Sequence, residues 1–232
     1  MLRASILDFL YPKFCLSCGK EKSYLCPDCI TKVKSFPAPS CPYCDRRSPE
    51  GKICKECRKS LFGFVSAAPY SDEILRKLIN AFKYNFVKEL SASLAFLILK
   101  FLKQNPEIEF FKNPLNFLIL PIPLHPRRLR WRGFNQSVEI GKILSPLLKA
   151  PMEENFLFRK KHTKPQVKIK DKKEKEKNVK GIFLVKNSGE IKNKKIILLD
   201  DVATSLSTME EAARVLKENG IKEVWGLTVA KG

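Results

Sequence analysis

Two groups of residues in this sequence are placed to do chemistry: eight cysteines near one end and two adjacent aspartates near the other. The cysteines form four pairs of one spacing, Cys15/Cys18, Cys26/Cys29, Cys41/Cys44 and Cys54/Cys57, and none follows. Two-residue spacing turns both thiolates of a pair inward from one tight knuckle. Two such knuckles complete a tetrahedral shell of four sulfurs, which suits zinc. Gaps of seven, eleven and nine residues fit two consecutive ribbons hinged at Phe36-Pro37-Ala38-Pro39. Consecutive pairing puts Cys15, Cys18, Cys26 and Cys29 on one ion, and Cys41, Cys44, Cys54 and Cys57 on the other. A cross-braced pairing, first with third and second with fourth, meets the same spacing. The segment's few apolar residues, such as Phe14, Leu16, Tyr24, Leu25 and Ile30, cannot build much of a core. Zinc on four thiolates contributes on the order of 10–16 kcal/mol of folding free energy, enough to decide the matter. A redox CxxC is normally a lone pair at a helix start, and cytoplasmic surroundings disfavour disulfides.

The aspartates close an apolar run, Ile196-Ile197-Leu198-Leu199-Asp200-Asp201. This reads as a buried strand that stops at two carboxylates. The loop Ala203-Thr204-Ser205-Leu206-Ser207-Thr208 follows, and then a helix whose start looks like a capping box, Ser207 with Glu210. Ligands of open α/β sheets bind at the carboxyl ends of strands, where exposed N–H groups and the positive end of a helix attract phosphate. The hydroxyls of Thr204, Ser205, Ser207 and Thr208 add donors, and Asp200 and Asp201 can accept from ribose hydroxyls. Phosphate at one end and a diol at the other describe ribose 5-phosphate. A strand ending in two acids also fits a nucleotide-hydrolysing site, but that needs a GxxxxGK[ST] loop, which is missing here.

Other elements must hold these groups. The spacing of apolar residues predicts strands at 62–70, 117–122, 181–185, 195–199 and 223–230. It predicts helices at 71–84 (Leu75, Leu78, Ile79, Phe82), 88–103 (Leu94, Leu97, Ile98, Phe101), 136–148 and 207–219. Alternation of this kind argues for a mostly parallel sheet covered on both faces. The division expected is a zinc module at 1–60 and an α/β domain at 61–232.

The segment Asp200–Thr208 resembles the DDxxTTGxT motif of type I phosphoribosyltransferases. Leu120-Pro121-Ile122-Pro123-Leu124-His125-Pro126-Arg127-Arg128-Leu129-Arg130-Trp131-Arg132-Gly133-Phe134-Asn135-Gln136 is similar to the PVPLHxxRxRxRGFNQ block of ComF/GntX-type proteins. Thr163-Lys164-Pro165-Gln166, then Asn178-Val179-Lys180-Gly181 and Phe183, resemble that family's TxPQ…NVxGAF stretch, and Tyr70 and Phe82-Lys83-Tyr84 fit an earlier one. The resemblance covers nearly the whole chain. It implies a type I phosphoribosyltransferase-like fold behind a double zinc ribbon, and a role in natural competence. That role is the handling of incoming single-stranded DNA alongside a helicase-like protein and recombination mediators. It also implies a site for phosphoribosyl pyrophosphate or a related phosphosugar, with Mg²⁺ between pyrophosphate and ribose oxygens. Two other readings stand beside it: an active phosphoribosyltransferase of unknown acceptor, and a zinc-ribbon adaptor docking on proteins. Leu206 departs from the motif, which has glycine there for positive φ and close approach to phosphate.

The formal charge of +20, from 44 Lys plus Arg against 24 Asp plus Glu, favours a polyanionic partner. Arg127, Arg128, Arg130 and Arg132 crowd a loop with Trp131, offering guanidinium forks for phosphate and a stacking face for an unpaired base. The stretch 160–180 is rich in lysine and reads as a mobile loop. The first residues carry Asp8 and no signal-type apolar run, and no stretch is apolar enough to span a bilayer, so a cytoplasmic protein without membrane insertion is expected.

Overall fold

The structure, a computed structural model, describes residues 12–161, 172–192 and 194–232. Thr163-Lys164-Pro165-Gln166 lies outside the described residues. The strands are β1 (Gly63–Pro69), β2 (Phe117–Pro121), β3 (Leu157–Arg159), β4 (Phe183–Val185), β5 (Lys195–Ala203) and β6 (Val224–Lys231). The helices are α1 (Pro27–Lys32), α2 (Glu73–Tyr84), α3 (Leu90–Gln104), α4 (Glu109–Lys112), α5 (Pro126–Arg132), α6 (Gln136–Leu148), α7 (Lys172–Val179) and α8 (Ser207–Glu218).

Four strands make one wholly parallel sheet in the order β1-β6-β5-β2. Their apolar runs suit a sheet buried on both sides. Successive side chains alternate between the faces. Ile197 and Leu199 meet α2, α3 and α6 in one core, while Ile196 and Leu198 meet α8, β3 and β4 in the other. Asp72 caps α2 by accepting from Leu75 N–H at 2.8 Å, and the expected Leu75, Leu78, Ile79 and Phe82 are its buried stripe.

Three expectations change in detail. The segment ending at Val185 is not a strand of the parallel sheet: Phe183–Val185 pairs antiparallel with Leu157–Arg159 in a separate ribbon. Strand β5 does not stop at the aspartates but runs to Ala203, because Val202 and Ala203 still pair with Ala230 and Lys231. The described second half of the lysine-rich stretch is helix α7 rather than loop, anchored by buried Val179 in the core that holds α8.

The zinc module straddles the sheet edge. Leu25, Cys26, Cys29 and Val33 join one core, whereas Cys41 and Ile53 join the other. The hinge is pinned by Phe36 N–H donating to Ala67 O of β1 at 3.0 Å, and Lys52 bridges Gly63 antiparallel. Gly63 leaves room for the buried ring of Trp225 and for Gly51 O, since a Cβ there would stand 2.2 Å from the one and 2.8 Å from the other. A module with little core of its own thus borrows both cores of the domain beside it. Among the described residues no helix is long and apolar enough to cross a membrane.

Candidate functional site

The cysteines gather into two groups, Cys15/Cys18/Cys26/Cys29 and Cys41/Cys44/Cys54/Cys57, with the sulfurs of each group within 4.8 Å of one another. Pairing is therefore consecutive and not cross-braced. Sulfur separations of 3.7 Å (Cys18–Cys26) and 3.5 Å (Cys41–Cys54, Cys44–Cys54) fit a tetrahedron, for which Zn–S bonds of about 2.3 Å require edges of about 3.8 Å. Four thiolates at this spacing suit structural zinc. The groups differ in exposure. Three sulfur residues of the first are buried, whereas in the second only Cys41 is, and Cys44 is exposed beside the Arg46 guanidinium.

The second centre is a cleft at the carboxyl ends of β5 and β2. Asp200, Asp201 and the whole of 203–208 line it, together with Lys83, Arg128, Arg132, Ser137 and Arg159. Asp201 is buried, and its Oδ1 lies 2.9 Å from Lys83 Nζ. Burial alone would depress the Lys83 ammonium, but the charges of Asp201 and Asp200 outweigh it and hold the pKa above the usual lysine value. Asp200 accepts from Ser137 Oγ at 3.0 Å and from Asp201 N–H at 2.9 Å. Burial, and then the charge of Asp201, push its carboxyl up to about 7 against the opposing pull of Lys83. The two neighbours thus differ: one is locked in an ion pair, and the other takes up a proton near neutrality.

The arginine segment is not a loop. It is helix α5, opened by Pro126 in its first turn and by His125 Nδ1 accepting from Arg127 N–H at 3.2 Å. Gly133 closes it in the left-handed conformation, φ 76°. The helix divides its charges. Arg128 and Arg132 line the cleft, while Arg127, Arg130 and Trp131 are exposed outside it. Arg132 is steadied by Gln136, which accepts at 2.8 Å, and Asn135 caps α6 by accepting from Ser137 N–H. The block from Arg132 to Ser137 therefore ends one helix, starts the next and delivers Arg132, Asn135, Gln136 and Ser137 to the cleft.

Leu206 takes the conformation that the motif reserves for glycine, φ 59° and ψ −5°. A left-handed non-glycine residue costs about 1–2 kcal/mol, which is offset here because the leucine side chain is buried in the α8 core. An inverted ranking is expected. Leu206→Ala forfeits the packing and keeps the strain, so in denaturant unfolding it should be less stable than Leu206→Gly by about 1 kcal/mol. At an ordinary buried position glycine is the worse of the two, and finding that order here would refute the strain.

The capping box is absent. Leu206 occupies the N-cap position of α8, no side chain caps the helix, and Ser207 Oγ instead meets Ser205 Oγ at 2.9 Å. Glu210 is engaged elsewhere. It accepts from the N–H groups of Ser60 (2.8 Å) and Leu61 (3.2 Å) and from the hydroxyl of Tyr43, which sits between two zinc-ligating cysteines. One carboxylate therefore ties the second ribbon to the first turn after the 203–208 loop.

Lys83, Ser137 and Arg159 are among the cleft residues that sequence reasoning did not assign. Lys83 and Ser137 carried a signal, since both sit in or beside blocks that resemble the family, but the partners that give them roles lie far along the chain. Arg159, on the short strand β3, carried none.

Residues 6–58 match the double zinc ribbon domain family and residues 135–231 the phosphoribosyl transferase domain family. The chain is 31% identical over 223 residues to Competence protein F of Haemophilus influenzae, covering 90% of this chain and 92% of that one. Against Competence protein ComFC of Bacillus subtilis the figures are 28% over 210 residues, with 87% and 81% covered. Against DNA utilization protein YhgH of Escherichia coli K12 they are 26% over 215 residues, with 92% and 87% covered. The likeness runs through ribbon and sheet in one order, as a property of whole chains and not of a shared motif, and on that ground this chain belongs to the ComF family.

Proposed function

We propose that this protein handles incoming single-stranded DNA during competence, and that its cleft binds phosphoribosyl pyrophosphate or a related phosphosugar. One observation carries the reading: two carboxylates, a hydroxyl-rich loop at a helix start and four basic side chains converge at the end of a parallel sheet. The names of its full-length relatives, competence proteins and a DNA utilization protein, supply the biological setting. In this reading the 203–208 loop holds the 5-phosphate, Asp200 and Asp201 position the ribose, and Arg128 and Arg132 face pyrophosphate. Mg²⁺, when bound with such a ligand, would neutralise the charge of its pyrophosphate beside Asp200 and Asp201. The exposed Arg127 and Arg130 give the polyanion a landing face.

A second reading, phosphoribosyl transfer to an acceptor, is favoured by the same Asp pair. It differs only in requiring pyrophosphate release.

The test is calorimetric titration of the zinc-loaded protein with phosphoribosyl pyrophosphate and Mg²⁺, alongside binding of a labelled oligothymidine across a salt series. Saturable heat is expected from the native protein, weakened at least tenfold in Asp200→Asn, together with oligonucleotide affinity that falls steeply with salt. A native titration without heat would refute the cleft assignment. Salt-insensitive or absent oligonucleotide binding would refute the DNA role.

A further inference from the structure

Exposed apolar side chains ordinarily stand alone on a protein surface. One group does not. Tyr84 ends α2, Phe86 follows it in the connection to α3, and Trp131 projects from α5, with exposures of 50%, 41% and 58%. Their rings nevertheless pack together: Trp131 meets Phe86 edge-on at 5.5 Å between centroids and Tyr84 at 6.3 Å. Among the described residues no other exposed aromatic rings are in contact. Phe86 is held at φ 58°, a left-handed conformation costly for an aromatic residue, and strain of this kind persists where structure imposes it, often at functional surfaces.

The surroundings are cationic. The Arg132 guanidinium lies 5.8 Å from the Tyr84 centroid and 5.9 Å from that of Trp131. Arg127 and Arg130 flank Trp131 on the same short helix, and both are exposed. Tyr84 and Arg132 also line the cleft, so the rings stand at its mouth.

From this arrangement we infer that Tyr84, Phe86 and Trp131 form a stacking platform for unpaired nucleobases, with the arginines of α5 taking the adjoining phosphates. Every base has a π-face, and aromatic rings beside a cationic track are the chemistry that holds single strands irrespective of sequence. An apolar protein partner would use the rings but leave the guanidinium groups without a counterpart. A duplex would satisfy the arginines but keep its bases stacked on one another. The platform rests on the proposed single-strand role and gives it a place: bases on the rings lead the strand's phosphates toward the mouth of the cleft.

The protein carries its own reporter. Of its two tryptophans, Trp225 is fully buried and Trp131 is exposed, so a change of emission on adding oligothymidine reports Trp131. Affinity is read separately by anisotropy of a labelled strand. We expect quenching by the single strand, little by the matching duplex, and none in Trp131→Phe, which lacks the exposed indole. Trp131→Ala and Tyr84→Ala should each weaken binding about tenfold without altering the slope of log affinity against log salt. Removing Arg127 or Arg130 should instead lower that slope by about 1 each.

If the native protein binds the strand with unchanged emission and Trp131→Ala binds equally well, the platform is wrong while the DNA role stands. If duplex and single strand quench alike, the preference for unpaired bases is wrong. If the native protein binds no single strand even at low salt, platform and role fall together. Both alanine sites are exposed, and a melting curve for each variant separates lost binding from lost fold.

Discussion

Replacing Cys29 by Ser should halve the zinc content, from two ions per chain to one, and lower the melting temperature of the whole protein. Each four-cysteine site supplies on the order of 10–16 kcal/mol in isolated ribbons, as much as the entire stability of a typical domain. The damage cannot stay local, because Cys29 and Val33 are buried in the same core as Val65 and Leu227 of the parallel sheet. Cys44→Ser should also remove one zinc. Exposure sets the order of loss under a chelator: the second site, with Cys44 exposed and Cys54 and Cys57 half-buried, should empty before the first. Metal analysis with a timed chelator titration checks both points. Fewer than two zinc ions in the native protein, or an unchanged melt in Cys29→Ser, would refute the assignment.

The next largest effect is expected at Asp201. Its carboxylate is buried against Lys83 at 2.9 Å, and removing one member of a buried pair strands the other charge, typically at a loss of about 3–5 kcal/mol. Asp201→Ala should show that loss in urea unfolding. Lys83→Met added to it should restore most of it, since an apolar pair in place of a buried ion pair is often near neutral. Strictly additive losses would show that the two groups are energetically independent. Phosphosugar binding should remain lost in the double variant, since both side chains line the cleft, which separates what the pair does for the fold from what it does for a ligand.

The sequence shows the elements whose information is local. Helices α2, α3, α6 and α8 announce themselves through apolar stripes, and the cysteine spacing announces metal. Helix α5 was hidden because its residues are chosen for charge and its cap is a histidine, not one of the usual capping side chains. The end of β5 was hidden because two aspartates look like a terminus, whereas pairing with β6 carries the strand past them. The Ser207–Glu210 pattern misled for the converse reason. It is a sound local signal, yet the partners of Glu210 lie about 150 residues earlier and claim it first. The cleft was half legible: its acids and loop are contiguous, but Lys83, Ser137 and Arg159 reach it only through the fold.

That Glu210 joint bears on how the protein can be taken apart. The phosphoribosyltransferase-like portion is not a free-standing body with an ornament in front. A fragment beginning after the last cysteine would keep every residue of the cleft. It would lose Tyr43 together with both zinc sites, and so part of the brace at the foot of the 203–208 loop. For chimeras between relatives, the natural unit of exchange is therefore the whole chain, and drift in the ribbon around Tyr43 must be matched at the start of α8.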